Sequence, residues 1–80
     1  MLRPTPIKVT ALDDYRLLIK FDNGEVKTFD VSVLLTKKPY MPLIDKSVFK
    51  TVRTNGLTIE WDGDIDVCPD DVYYGSISIV

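Results

Sequence analysis

Histidine is absent from the 80-residue chain, and cysteine occurs once, at Cys68. The first absence removes the usual general base near neutral pH and the commonest nitrogen ligand for zinc. The second excludes an internal disulfide, so a small core must hold unstapled, which fits a reducing compartment. With only four glycines there is no glycine-rich loop to cradle a phosphate. Nowhere do enough apolar residues run together to cross a bilayer, and the opening MLRPTPIKV lacks an apolar stretch of signal-peptide length. A cytoplasmic protein without membrane association is expected.

What is present is the balance of a folded protein, 45% apolar and 28% charged. At this length one domain spanning residues 1–80 is expected, and a chain so short buries only about 60% of the surface its unfolded form exposes. The net charge is -2, unevenly spread. Residues 1–50 carry nine Lys or Arg against six acids, or +3, whereas residues 51–80 carry Arg53 against six acids, or -5. Such polarity can steer a charged partner, although a solvated surface shows it as well.

Alternation of Ile7, Val9 and Ala11 with Lys8, Thr10 and Leu12 predicts a strand near residues 6–12, closed by a turn at Asp13-Asp14. In the next segment Tyr15, Leu17, Ile19 and Phe21 share one face. Asn23-Gly24 then signals a hairpin, for which a two-residue type I′ loop predicts Phe21 opposite Val26, Lys20 opposite Lys27 and Leu18 opposite Phe29. Asp30 should cap a short helix over VSVLL, stopped by Pro39, with KPYMPL as an irregular crossing. Asp45 should cap one more helical turn through Val48 and Phe49. A second hairpin is expected around Asn55-Gly56, pairing Val52 with Ile59 and Thr54 with Leu57, so that Leu57, Ile59 and Trp61 form an apolar face. Pro69 is placed to open a last helix with Asp70 and Asp71 in its first turn and Gly75 at its end. SISIV alternates as a strand does, and its edge can pair with a second copy of the chain.

The stretch WDGDIDVCPDD holds five aspartates in eleven residues. Asp62, Asp64 and Asp66 match the opening of a calcium loop, yet Val67 stands where that loop needs glycine and Tyr73 where it needs a bidentate glutamate. Turn and capping chemistry accounts for these residues instead: Asp62 and Gly63 in a turn, Asp66 in a buried or capping hydrogen bond, Asp70 and Asp71 at the helix dipole. No metal or other cofactor is expected. Paired carboxylates can do acid/base work only in a pocket that separates their pKa values, and so small a core leaves little to line one. Cys68 reads as a small core residue and Trp61 as a core lid, while Tyr40 and Met41 in the crossing are candidates for contact with a partner.

The sequence F-x-N-G-E (Phe21, Asn23, Gly24, Glu25), F-D (Phe29, Asp30), L-x-D-x-x-x-F (Leu43, Asp45, Phe49) and W-x(4)-D-x-C-P-D-x-x-Y (Trp61, Asp66, Cys68, Pro69, Asp70, Tyr73) resembles the bacterial family called domain of unknown function 2442 over nearly the whole chain. It departs in carrying Gly63 and Asp64 where glycine usually sits one place later, and Val72 where leucine is usual. The resemblance implies a compact α+β fold with no catalytic residues to carry over. It also implies a genetic neighbour from the family called domain of unknown function 4160, in an arrangement similar to a toxin/antitoxin pair. Some longer relatives add a helix-turn-helix region, for which these eighty residues leave no room.

The expected architecture is therefore α+β: a small antiparallel sheet of two hairpins plus an N-terminal strand, with two short helices packed on it. The expected role is a non-catalytic protein-interaction module, the antitoxin-like half of a two-gene module, contacting a more basic protein through Tyr40, Met41, Asp62, Asp64 and Asp70. The alternative is a nucleic-acid-associated regulator using Arg16, Lys20, Lys27, Lys37 and Lys38.

Overall fold

A computed structural model describes residues 3–78 of the chain. Strands β1 (Pro6–Ala11), β2 (Arg16–Phe21), β3 (Val26–Asp30) and β7 (Ile77–Ser78) form an antiparallel sheet in that spatial order. Strands β4 (Arg53–Thr54), β5 (Ile59–Trp61) and β6 (Ile65–Asp66) form a second one. The class is α+β as expected, with the two hairpins assigned to separate sheets. Two short helices, α1 (Lys46–Phe49) and α2 (Pro69–Tyr74), and three 3-10 segments connect them. Ile79 and Val80 of the expected terminal strand lie outside the described residues, but Ile77 and Ser78 do pair with Thr28 and Lys27.

The first hairpin differs from expectation by one residue, and the difference decides which lysine turns toward the core. Phe21 donates its N–H to the Glu25 carbonyl at 2.9 Å and accepts the Gly24 N–H at 3.0 Å, giving a three-residue loop. Within the loop only Gly24, at φ 91°, has positive φ, and the Asn23 side chain takes the Glu25 N–H at 3.0 Å. A turn followed by one left-handed glycine replaces the type I′ pair. Leu17, not Leu18, therefore lies opposite Phe29, and Lys20 lies opposite Val26. A one-residue slip exchanges faces, so Lys27 joins Ile19 on the core side, away from Lys20.

The second hairpin slips by two residues and keeps its faces. Thr54 pairs with Ile59 and Arg53 with Glu60, centring the loop on Gly56 and Leu57. Leu57 is consequently exposed at the tip, and Thr58 is buried with its hydroxyl donating to the Val67 carbonyl at 2.7 Å. Ile59 and Trp61 remain fully buried, as their alternation predicted.

Asp30 and Asp45 cap the turns they precede, each accepting the N–H of the serine two residues on, at 3.0 and 2.9 Å. VSVLL winds as a 3-10 segment, Val31–Leu34, rather than an α-helix. Pro39 opens the next 3-10 segment, Lys38–Ile44, so KPYMPL is a wound element instead of an irregular crossing. Proline is tolerated in a first turn because its missing N–H would have had no partner there.

One core draws on both sheets: Leu17, Ile19, Phe21 and Phe29 from the first, Ile59, Trp61 and Ile65 from the second, closed by Val31, Leu43, Phe49, Val67 and Val72. Trp61 is its largest fully buried side chain, stacked on Phe49 at 6.5 Å between ring centres and donating Nε1–H to the Phe49 carbonyl at 3.0 Å. That bond satisfies the one polar atom of an otherwise apolar side chain. Cys68, read from sequence as a core residue, is exposed; Val67 takes the inward position beside it.

Candidate interaction surface

Winding of the segments after β3 places a groove between the 3-10 turn Val31–Leu34 and helix α2. Val31 and Leu34 turn toward the core, which leaves Val33 on the outer side, 66% exposed. In α2, Val72 is buried while Tyr74, at its last position, is 72% exposed. Between them lies a depression of about 460 Å³ whose lining includes Phe29, Leu34, Val67 and Tyr40, with Asp30, Lys37 and Asp71 as its charged residues. Its volume falls within the range of clefts that hold a small molecule or an anchoring side chain.

Tyr40 is half-buried at this groove. Burial raises its phenol above the ordinary tyrosine value, and Asp66, Asp71 and Cys68 push in the same direction. Among the charged residues of the lining, Asp30 and Asp71 outnumber Lys37. Met41 is 47% exposed on the same 3-10 segment, outside the groove lining.

The aspartates singled out from sequence are not brought together. Asp62 binds Arg53 at 2.8 Å, and Arg53 also reaches Glu60 at 2.9 Å. Asp70 pairs with Arg3 at 3.0 Å, which ties the chain ahead of β1 to α2. Asp64 sits at the tip of the β5–β6 turn with φ 60°, beside Gly63 at φ 90°. Asp66, expected to be buried or capping, is exposed. Among the described residues, Asp64, Asp66 and Asp71 have no cationic partner, and no three of the acidic or cysteine side chains are grouped to hold a metal ion. Three of the six acids in the last thirty residues thus share two arginines, Arg53 and Arg3, while Asp71 lies at the groove and Asp64 at the β5–β6 tip.

The basic residues are likewise dispersed. Arg16 and Lys20 project from the solvent face of the four-stranded sheet, where Lys20 stands directly opposite Lys8. Lys37 and Lys38 lie at the start of the 3-10 segment Lys38–Ile44. Lys27 is removed from that group: its side chain is only 12% exposed, its ammonium lies 3.7 Å from the centre of the Tyr73 ring, and it donates to the Tyr73 carbonyl at 3.2 Å. No aromatic side chain joins Arg16, Lys20, Lys8, Leu18, Thr28 or Val26 on that sheet face, so it offers no platform for stacked bases.

A second cluster joins the loop of the first hairpin to α2. Tyr73 donates its hydroxyl to Glu25 Oε1 at 2.5 Å, Asn23 donates its amide to the same oxygen, and the Phe21 and Tyr73 rings meet edge to face at 5.1 Å. The Tyr73 and Asn23 bonds, with the nearby Lys27 ammonium, hold Glu25 below the usual carboxylate range. Asn23 and Glu25 of one motif and Tyr73 of another, 48 residues beyond Glu25, thus form one structural contact.

Sequence reasoning missed Val33 and Tyr74, and assigned Asp71 only to the helix dipole. The signal was available for Val33, which breaks the apolar face formed by Val31 and Leu34. For Tyr74 it was not, because an aromatic at the end of a six-residue helix gives no face on its own.

No helix among the described residues is long and apolar enough to cross a membrane. No curated protein and no solved structure matches the chain significantly. A family match covers residues 6–78, nearly the whole chain and every element described above. The chain belongs to the family described as protein of unknown function, DUF2442.

Proposed function

We propose that this chain is a non-catalytic protein-interaction module whose groove between Val31–Leu34 and α2 receives a basic, partly apolar segment of a partner protein. The observation in support is the pair Val33 and Tyr74, two large apolar side chains left in solvent on either side of a groove whose charged lining is two aspartates and one lysine. Aromatic and apolar anchors within a charged rim are the composition of interface centres. Tyr40 and Tyr74 offer rings to a lysine or arginine, and Asp71 a carboxylate. The finer role we propose is the antitoxin-like half of a two-gene module whose partner belongs to the family called domain of unknown function 4160, a reading supported by the family resemblance alone. The absence of enzymatic activity is part of the same proposal.

The test is co-purification with the protein encoded beside it, at moderate salt and with nuclease, comparing the native chain with a Val33→Asp, Tyr74→Ala variant. A stoichiometric complex formed by the native chain and lost in the variant, with the variant's melting temperature unchanged, supports the groove. Equal binding by the variant places the contact elsewhere. A complex that disappears with nuclease favours a nucleic-acid role centred on Arg16 and Lys20.

A further inference from the structure

The two Asn-Gly pairs at the hairpin tips are chemically alike and structurally different. In the first, the Gly24 N–H donates to the Phe21 carbonyl at 3.0 Å, so its nitrogen is engaged in the turn. In the second, the Gly56 N–H donates to no group of the protein among the described residues. Both asparagines are exposed, so access does not separate them.

The side-chain carbonyls differ too. Asn23 Oδ1 accepts one backbone N–H, from Glu25 at 3.0 Å. Asn55 Oδ1 accepts two, from Leu57 at 3.0 Å and Thr58 at 2.8 Å. Paired backbone donors on a carbonyl oxygen stabilise the negative charge that builds there when a nucleophile adds to the carbon, which is the principle of an oxyanion hole.

We infer that Asn55 is a self-modification site: the folded protein deamidates there in preference to Asn23. The Gly56 nitrogen attacks Asn55 Cγ, forming an N–Cγ bond and giving its proton to water or hydroxide. The tetrahedral intermediate, its oxygen held by Leu57 and Thr58 N–H, breaks the Cγ–Nδ2 bond, and the nitrogen leaves as ammonia after taking a proton from water. Water then opens the five-membered succinimide at either carbonyl to give aspartate or isoaspartate. The net reaction consumes one water and releases one ammonia, with no redox change.

The product alters the local charge pattern. Asn55 Nδ2 now donates to Glu60 Oε1 at 2.8 Å. Aspartate there would set a carboxylate against Glu60, with Arg53, already shared by Glu60 and Asp62, as the cation nearest along β4. Isoaspartate would lengthen the backbone inside the loop that sets the β4–β5 register.

The experiment is incubation of the folded protein in mildly alkaline buffer, with peptide mapping by mass spectrometry at both asparagines over time, beside the same incubation in denaturant. In the folded protein Asn55 is expected to convert about fivefold faster than Asn23 or more, the equivalent of the one net hydrogen bond that Gly24 must break and Gly56 need not. In denaturant the two rates should converge. Equal rates in the folded protein, faster conversion at Asn23, or a bias that persists unchanged in denaturant would each overturn the inference. An Asn55→Gln variant, with a six-membered ring to close, should reduce total ammonia release to the Asn23 contribution.

Discussion

Tyr73 and Glu25, 48 residues apart, share a hydrogen bond of 2.5 Å that fastens α2 to the loop of the first hairpin. The bond lowers the Glu25 carboxyl below its ordinary value and raises the Tyr73 hydroxyl above its own. For Glu25, the stabilisation is complete above the unfolded value of about 4.3 and is lost as pH falls through the lower folded value. For Tyr73, it is complete below about 10 and is lost as pH rises through the higher folded value. Tyr73→Phe should therefore flatten the stability profile at both ends while leaving the Asp45 contribution to the acid slope in place. Melting temperatures between pH 3 and 6 would check this, and acid slopes that superimpose for native and variant would refute it.

Trp61→Phe should destabilise the protein by about 2–4 kcal/mol, combining lost volume with an unpaired Phe49 carbonyl in a buried site. Urea unfolding should show a lower midpoint at constant m-value. A change below half a kilocalorie per mole would mean that the indole is not the keystone its burial makes it.

Gly24 and Gly75 should respond differently to substitution. A Cβ at Gly24 meets nothing within 4 Å, so only the φ of 91° opposes it; alanine should cost about 1 kcal/mol and asparagine less, since asparagine tolerates left-handed backbone. At Gly75 the φ is ordinary, but a Cβ would come within 2.5 Å of the Asp71 carbonyl and 3.1 Å of the Phe29 ring. Alanine and asparagine should both cost roughly 1–3 kcal/mol there, as overpacking does. Thermal melts of the four variants separate the two causes.

Lys20→Thr should stabilise the chain by a few tenths of a kilocalorie per mole. Lys8 and Lys20 face each other on the solvent side of β1 and β2, a like-charge pair with no carboxylate bridged to either among the described residues. The gain should shrink at high salt as screening removes the repulsion. Lys27→Ala should do the reverse, because that ammonium is held by Tyr73 and shielded from solvent. A destabilised Lys20→Thr would show that the pair is not repulsive in solution.

The strands, caps and last helix were readable because each rests on local chemistry: period-two alternation, an aspartate two residues before a serine, a proline at a first helical turn. Register was not readable from the turn dipeptides, because Asn-Gly serves several loops and the side chain of Asn23 chose among them. The alternation of Leu17, Ile19 and Phe21 held the answer, since only the one-residue shift places Phe29 opposite Leu17 and inside. The division into two sheets and the groove depend on contacts between distant segments, and Val33 and Tyr74 acquire meaning only once α2 has packed beside the turn at Val31. The pairing of Asp70 with Arg3, a cation from the other end of the chain, explains why counting charges along the last thirty residues overstated their acidity.

The order of strands in the larger sheet has a consequence for how the protein is made. Strands β1, β2 and β3 are neighbours in sequence and can assemble early, but β3 finds its other partner only at Ile77 and Ser78. During synthesis one edge of β3 is therefore left open until Ile77 and Ser78, about fifty residues further on, have emerged. An open edge is a template for pairing with other chains. Nascent or truncated forms lacking β7 should be the ones that aggregate, and docking of α2, which delivers β7 to that edge, becomes the step that ends the exposure.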